Sequence, residues 1–229
     1  MSRMLMALFT LAIGFCWAAA ASAEAKPLDT YIAARIGEFN KIPAERQKVL
    51  AKVTAYLQAQ YDSNEVARLT FICTHNSRRS QMCQVWAAVA ASHYKIPKVE
   101  TFSGGTEATA FNPRAIAALE RAGVTIKRHS GTEKNPKYVV SIGANSVICF
   151  SKVYNEAPNP EQGFTAVMTC SEADKKCPTV AGAKERIALP YEDPKVSDGT
   201  ATESSTYDER CAQIAREMLV VFSSVRQGG

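Results

Sequence analysis

Cys73 stands six residues ahead of Arg79, and Ser80 follows the arginine. A thiol, a fork-shaped cation and a hydroxyl at that spacing suit nucleophilic attack on a tetrahedral oxyanion. The five residues between them, Thr74, His75, Asn76, Ser77 and Arg78, are just enough to wrap the backbone around such an anion with successive N–H groups facing inward. A helix starting where the loop ends would add its positive terminus. Arg79 would then hold two oxygens in a fork, and Ser80 could donate a hydrogen bond to the Cys73 sulfur. The donors and positive charge would favour the thiolate, which is the attacking form of cysteine. Asn76 belongs to the residue type that accepts left-handed backbone, so the loop would be shaped before any ligand arrives.

A cysteine and an arginine at this spacing also occur by chance, and the flanking elements decide their meaning. Leu69 to Ile72 is a short apolar run with a β-branched share and predicts a buried strand. Gln81 to Ala91 has helix-forming composition, with Met82, Val85, Trp86 and Val89 at helical spacing. Strand, loop and helix in that order would place Cys73 at a strand end and Arg79 at a helix start. Later strands are predicted at Phe164 to Thr169 and Arg186 to Leu189, and an amphipathic helix at Tyr207 to Val225. Between Tyr138 and Tyr154, the runs V-V-S-I and V-I-C-F flank Gly143-Ala144-Asn145-Ser146 and predict a β-hairpin insertion.

The loop resembles that of the low-molecular-weight protein tyrosine phosphatases and of the thioredoxin-coupled arsenate reductases that share their fold. Three further segments resemble the same superfamily in the same order. Residues 103–124, S-G-G-T-E-A-T-A-F-N-P-R-A-I-A-A-L-E-R-A-G-V, are similar to its second strand exit and helix. Residues 169–178, T-C-S-E-A-D-K-K-C-P, are similar to the redox segment of the reductase branch, and residues 190–194, P-Y-E-D-P, to its Asp-Pro loop. The resemblance implies a flavodoxin-like α/β domain over residues 67–229, a central parallel sheet with helices on both faces. It implies Asp193 as general acid, and a relay in which Cys170 attacks the Cys73 adduct and Cys177 resolves the disulfide for a thioredoxin-like reductant.

The implied function is arsenate reduction. The alternative is a phosphatase for phosphotyrosine or another phosphomonoester, using Cys73, Arg79 and Asp193 alone; that branch usually has an aromatic residue after Asp-Pro, where this chain has Lys195. A third reading is an exported oxyanion-binding module without turnover. Arg78 replaces the cysteine that often precedes the loop arginine. Cys83-Gln84 stands where reductases commonly carry Ala-Glu, a glutamate that helps hold potassium in some members. We therefore expect no metal site and no cofactor. His75 is expected to line the loop; with His93 and His129 scattered and only C-x6-C at Cys170 and Cys177, a zinc signal is poor.

Composition fits a globular enzyme: 229 residues, 46% apolar and 21% charged. A net charge of +5 is too mild to argue for nucleic acid. Arg3, the apolar run Leu5 to Ala20 and Ala21-Ser22-Ala23 have the layout of a secretory signal cut after Ala23, giving a periplasmic or secreted protein with no stable membrane insertion. The apolar run is short for an anchor, and Phe15 before Cys16 spoils a lipid-attachment pattern. Residues 24–66 predict an N-terminal extension of two helices, Leu28 to Phe39 and a second opened by Pro43 with Val49, Leu50, Val53, Tyr56 and Leu57 on one stripe. Cys83 lies in no recognisable motif, and Cys149 and Cys211 suit buried free thiols.

Overall fold

The structure, a computed structural model, describes residues 27–177 and 179–227; the proposed leader and its cleavage site lie outside them. Four parallel strands form the central sheet: β1 (Ala67–Cys73), β2 (Val99–Gly105), β6 (Phe164–Met168) and β7 (Ala183–Ala188). Their order is β2-β1-β6-β7, the flavodoxin-like order in which the chain moves to one side of β1 and then crosses to the other. That reversal leaves a crevice beyond the carboxyl ends of β1 and β6, the usual ligand site of such sheets. Cys73 ends β1 and Cys170 follows β6 by two residues, so topology alone brings two of the predicted cysteines to one crevice.

The central strand β1 is buried on both faces, which explains why it reads as a continuous apolar run. Leu69 and Phe71 join a large core with α2 (Ala44–Asp62), α3 (Arg79–His93), α4 (Pro113–Arg121) and α6 (Glu203–Ser223). Ile72 and Cys73 belong to a smaller core with Phe164, Ala166, Met168, Cys170 and Ala173, capped by the short α5 (Ser171–Lys176). Local signals set the helix ends. Asn112 Oδ1 accepts the Arg114 amide at 2.9 Å with Pro113 in the first turn of α4. At its other end the Val124 amide bonds Leu119 O and Gly123 has φ +91°, a Schellman stop that only glycine enters without strain.

The extension packs on the domain. In α1 (Pro27–Ile36), Tyr31 stacks on Trp86 of α3 at 5.5 Å between ring centroids. Trp86 is fully buried and its indole N–H donates to Cys211 Sγ at 3.2 Å. The first helix stops at Ile36, short of the expected Phe39, because the chain bends after Gly37 into a 3-10 turn over Phe39–Lys41. Pro43 caps α2 rather than entering it.

The insertion differs from the expected hairpin. Strands β4 (Pro136–Ile142) and β5 (Asn145–Cys149) pair antiparallel, but β3 (Ile126–Gly131) adds to the edge of β4, making three strands. Lys127, Arg128 and His129 are all exposed there, so β3 carries no alternation that the sequence could reveal. The turn is also tighter: only Gly143 and Ala144 lie outside the strands, and Asn145 pairs with Ile142.

Candidate active site

The loop from Thr74 to Arg78 joins β1 to α3, and every one of its carbonyls is engaged by surrounding protein. Thr74 O accepts the Glu107 amide at 3.0 Å, and Ser77 O the Asn112 amide at 2.9 Å. His75 O accepts the Ser151 hydroxyl at 2.9 Å, Asn76 O the Gln81 side chain at 3.1 Å, and Arg78 O the Met82 amide at 2.9 Å. Among the described residues, no acceptor meets the five amides of the same loop. Carbonyls bound outward and amides left over make a ready cradle for an anion.

Asn76 holds the curve. It sits at φ +45° and is wholly buried; its Oδ1 accepts the Lys152 amide at 3.0 Å, and its Nδ2 donates to Ser80 Oγ at 2.8 Å. Ser80 Oγ in turn lies 3.1 Å from Cys73 Sγ, so a side-chain chain runs from the loop's sharpest residue to the Cys73 sulfur. Gly105, at the end of β2, lets the loop come this close. A Cβ there would stand 2.3 Å from Glu107 O and 2.6 Å from Thr74 O.

Both loop arginines reach Asp193. Arg78, expected among the residues around the anion, donates from Nε to Asp193 Oδ1 at 2.8 Å and from NH2 to Oδ2 at 3.2 Å. Arg79 also reaches Asp193, with NH2 2.8 Å from Oδ2, and donates from NH1 to Tyr191 O at 3.1 Å. Its Nε is buried without a protein partner, a donor open to an incoming oxyanion. Burial would raise the Asp193 carboxyl, but the Arg78 hydrogen bond, the charges of Arg79 and Arg78 and the Lys195 amide together hold it below the ordinary aspartate value. His75 Nε2 lies 3.0 Å from Glu107 Oε1 and its side chain is 41% exposed, so its backbone, not its ring, builds the loop.

Cys170 is buried, and its Sγ is the N-cap of α5, accepting the Ala173 amide at 3.3 Å. Thr74 Oγ1 lies 3.5 Å from the same sulfur and joins it to the Cys73 loop. Cys177 closes α5 at its far end and is partly exposed. Cys73, Cys170 and Cys177 are all free thiols. Among the other described cysteines, burial raises the Cys83 thiol and pushes those of Cys149 and Cys211 up to about 12. Among the described residues no group of three His, Cys, Asp or Glu could hold a metal ion, and no helix is long and apolar enough to cross a membrane.

Sequence reasoning missed the partners that hold the site: Ser151, the Lys152 amide, Gly105 and the Tyr191 carbonyl. Gly104-Gly105 was visible in the S-G-G-T run, but a backbone carbonyl's partner leaves no mark on residue type.

No protein-family model matches the chain. Arsenate reductase 2 of Staphylococcus epidermidis is 30% identical over 125 residues, 54% of this chain and 76% of that protein. The arsenate reductase of Bacillus subtilis is 29% identical over 140 residues, 61% of this chain and 83% of that protein. Among solved structures, the arsenate reductase of Archaeoglobus fulgidus aligns at 18% identity and a TM-score of 0.43, over 68% of this chain and 99% of that one. A low-molecular-weight phosphotyrosine phosphatase of Vibrio cholerae aligns at 13% identity and a TM-score of 0.44, over 69% and 94%. With a 30% identical relative matched over three quarters of its length, the chain belongs to the family of that arsenate reductase and is an enzyme.

Proposed function

We propose that this enzyme reduces arsenate to arsenite with Cys73, Cys170 and Cys177. The observation that carries the reading is the grouping of free thiols: Cys73 and Cys170 share one buried cluster at adjacent strand ends, and Cys177 lies one short helix away. Arsenate enters the amide cradle, and Arg79 turns from Asp193 onto its oxygens. That movement removes one of the cations holding the Asp193 carboxyl low, so the acid regains a proton as the anion binds. The Cys73 thiolate attacks arsenic, and the departing oxygen takes the proton and leaves as water. Cys170 then attacks the Cys73 sulfur; the sulfur–arsenic bond breaks, its electron pair leaves on arsenic as arsenite, and a Cys73–Cys170 disulfide forms. Cys177 attacks Cys170, restoring the Cys73 thiolate. The Cys170–Cys177 disulfide is reduced by a thioredoxin-like dithiol through exchange.

A predicted leader cut after Ala23 would place this chemistry in the periplasm or outside the cell, where a dedicated dithiol donor has to keep the relay reduced. Phosphomonoester hydrolysis is the second reading, favoured by the Arg79–Asp193 pair at the end of the Cys73 loop, which needs neither later cysteine. The test is multiple-turnover arsenite release by residues 24–229 with thioredoxin, its reductase and NADPH, beside aryl phosphate hydrolysis. Sustained arsenite release that Cys170→Ser abolishes, with aryl phosphate hydrolysis spared, supports the relay. Fast phosphate release without arsenate turnover sinks it.

A further inference from the structure

The N-terminal extension reaches the acid-bearing segment through one side chain. Arg46, in the first turn of α2, donates from Nε to both carboxylate oxygens of Glu217 at 3.0 Å and from NH2 to Oε2 at 2.8 Å. Its remaining arm donates from NH1 to Pro190 O at 2.9 Å. The same guanidinium lies 4.5 Å from the centroid of the Tyr191 ring. One planar group thereby bonds a buried carboxylate on α6, a carbonyl at the start of the P-Y-E-D-P segment and the face of the next residue's ring.

Glu217 is only 2% exposed and is oriented further by Gln213 Nε2 at 3.0 Å. The anchor for Arg46 is therefore fixed by the domain rather than by a mobile surface group. Tyr191 is buried, and its amide bonds Thr169 O at 3.1 Å, next to Cys170. Its carbonyl receives Arg79 NH1, and Asp193 two residues later receives Arg78 and Arg79. Whatever sets the position of Pro190 and Tyr191 sets where Arg79 and Asp193 rest.

We infer that Arg46 is a positioning residue for the acid segment, so that the helical extension is part of the catalytic apparatus although none of its residues lines the anion cradle. The inference rests on the reading of Asp193 as proton donor. The cradle is held by other contacts, those of Asn76, Gly105 and Ser151, so Arg46 governs the proton-transfer step more than oxyanion capture. A small displacement of a proton donor costs rate steeply even when binding is unchanged.

Arg46→Ala alone would strand the buried Glu217 carboxylate and risks unfolding. The test therefore uses the double variant R46M/E217Q, which removes both charges together, and R46K, which keeps charge but loses the fork. Each full mature chain is assayed for arsenate and aryl phosphate turnover, and the Asp193 carboxyl is titrated by carbon-13 NMR. We expect the double variant to lose roughly 10-fold or more in kcat with KM changed less than about 3-fold. Asp193 should titrate at higher pH, toward the ordinary aspartate value, because Arg79 has lost its rest, and R46K should fall between. A residue with a merely structural role would lower Tm and leave the Asp193 titration in place. Wild-type kcat and an unmoved Asp193 titration in the double variant overturn the inference; if that variant does not fold, the same result in R46K overturns it. Absence of turnover in the wild type would count against the proposed reaction, while the Asp193 titration would still decide the role of Arg46.

Discussion

Two cysteine segments leave neighbouring strands of one sheet, and they are held in opposite ways. The Cys73 loop has all its carbonyls tied to other parts of the protein and its central Asn76 buried in a network of side-chain bonds. The Cys170–Cys177 segment is a six-residue helix. Its outer end is held by Arg186, which donates from Nε to Cys177 O at 2.9 Å and from NH2 to Asp174 O at 2.6 Å. A helix that short has little stability of its own. The contrast fits the proposed chemistry: an anion site works best pre-formed, whereas a cysteine in the proposed relay would have to travel between a buried sulfur and a surface partner.

Four substitutions would break or sharpen this contrast. The largest effect falls on the fixed segment itself: Cys73→Ser should lower both arsenate and aryl phosphate turnover by ~10³-fold or more, since the nucleophile is lost from either reaction. Gly105→Ala attacks the same segment from behind. The new Cβ would strike the Glu107 and Thr74 carbonyls, so the loop must shift, and kcat/KM for aryl phosphate should fall on the order of 100-fold. If turnover survives, the loop is less fixed than its hydrogen bonds imply.

Arg186→Gln tests the other segment. Releasing the Cys177 and Asp174 carbonyls should let α5 open more often, so Cys177 should react about 10-fold faster with an aromatic disulfide, while aryl phosphate hydrolysis stays within about 2-fold of wild type. Equal slowing of both readouts would mean that the segments are mechanically one unit.

The smallest effect is one of stability beside the fixed loop. Lys152 is 3% exposed, and burial holds its amine down to about 8 against the ordinary 10.5, with Lys137 nearby opposing the charge further although Cys149, the Phe150 carbonyl and the Phe150 ring favour it. The folded state therefore binds fewer protons than the unfolded chain between those two values, so stability should rise with pH from about 8 to about 10.5. Below that window the cost is fully present. Lys152→Met should remove the rise and stabilise the protein at neutral pH by on the order of 1–3 kcal/mol, read from urea unfolding at two pH values. An unchanged pH slope would show that the amine is better solvated than its burial suggests.

Much of the fold was legible because its signals are local. The β1–loop–α3 unit, the strand at Phe164–Met168 and the α6 helix follow from apolar runs and helical spacing, and the parallel sheet was implied by the family resemblance. The last strand spans Ala183–Ala188 rather than the expected Arg186 to Leu189, because exposed Lys184 and Glu185 leave no apolar run. The third strand of the insertion was not legible, because an exposed edge strand of Lys127, Arg128 and His129 needs only backbone pairing with β4. Cys73 and Arg79 could be picked out by type and spacing, and Asp193, Cys170 and Cys177 by the family resemblance of their segments. Their partners could not.

The sequence by itself determined that a cysteine, a fork-shaped arginine and a backbone-permissive asparagine would lie on one strand-to-helix loop, because those residues are neighbours in the chain and their chemistry is carried by type. It also set two further cysteines on a short polar segment. Only the tertiary structure decided that Asp193 rests between Arg78 and Arg79, that Thr74 meets Cys170, and that Arg46 reaches Pro190 across 144 positions of chain. Such contacts depend on how strands are ordered and helices packed. Burial then sets their energy by excluding water, and neither quantity is written in any single stretch of residues.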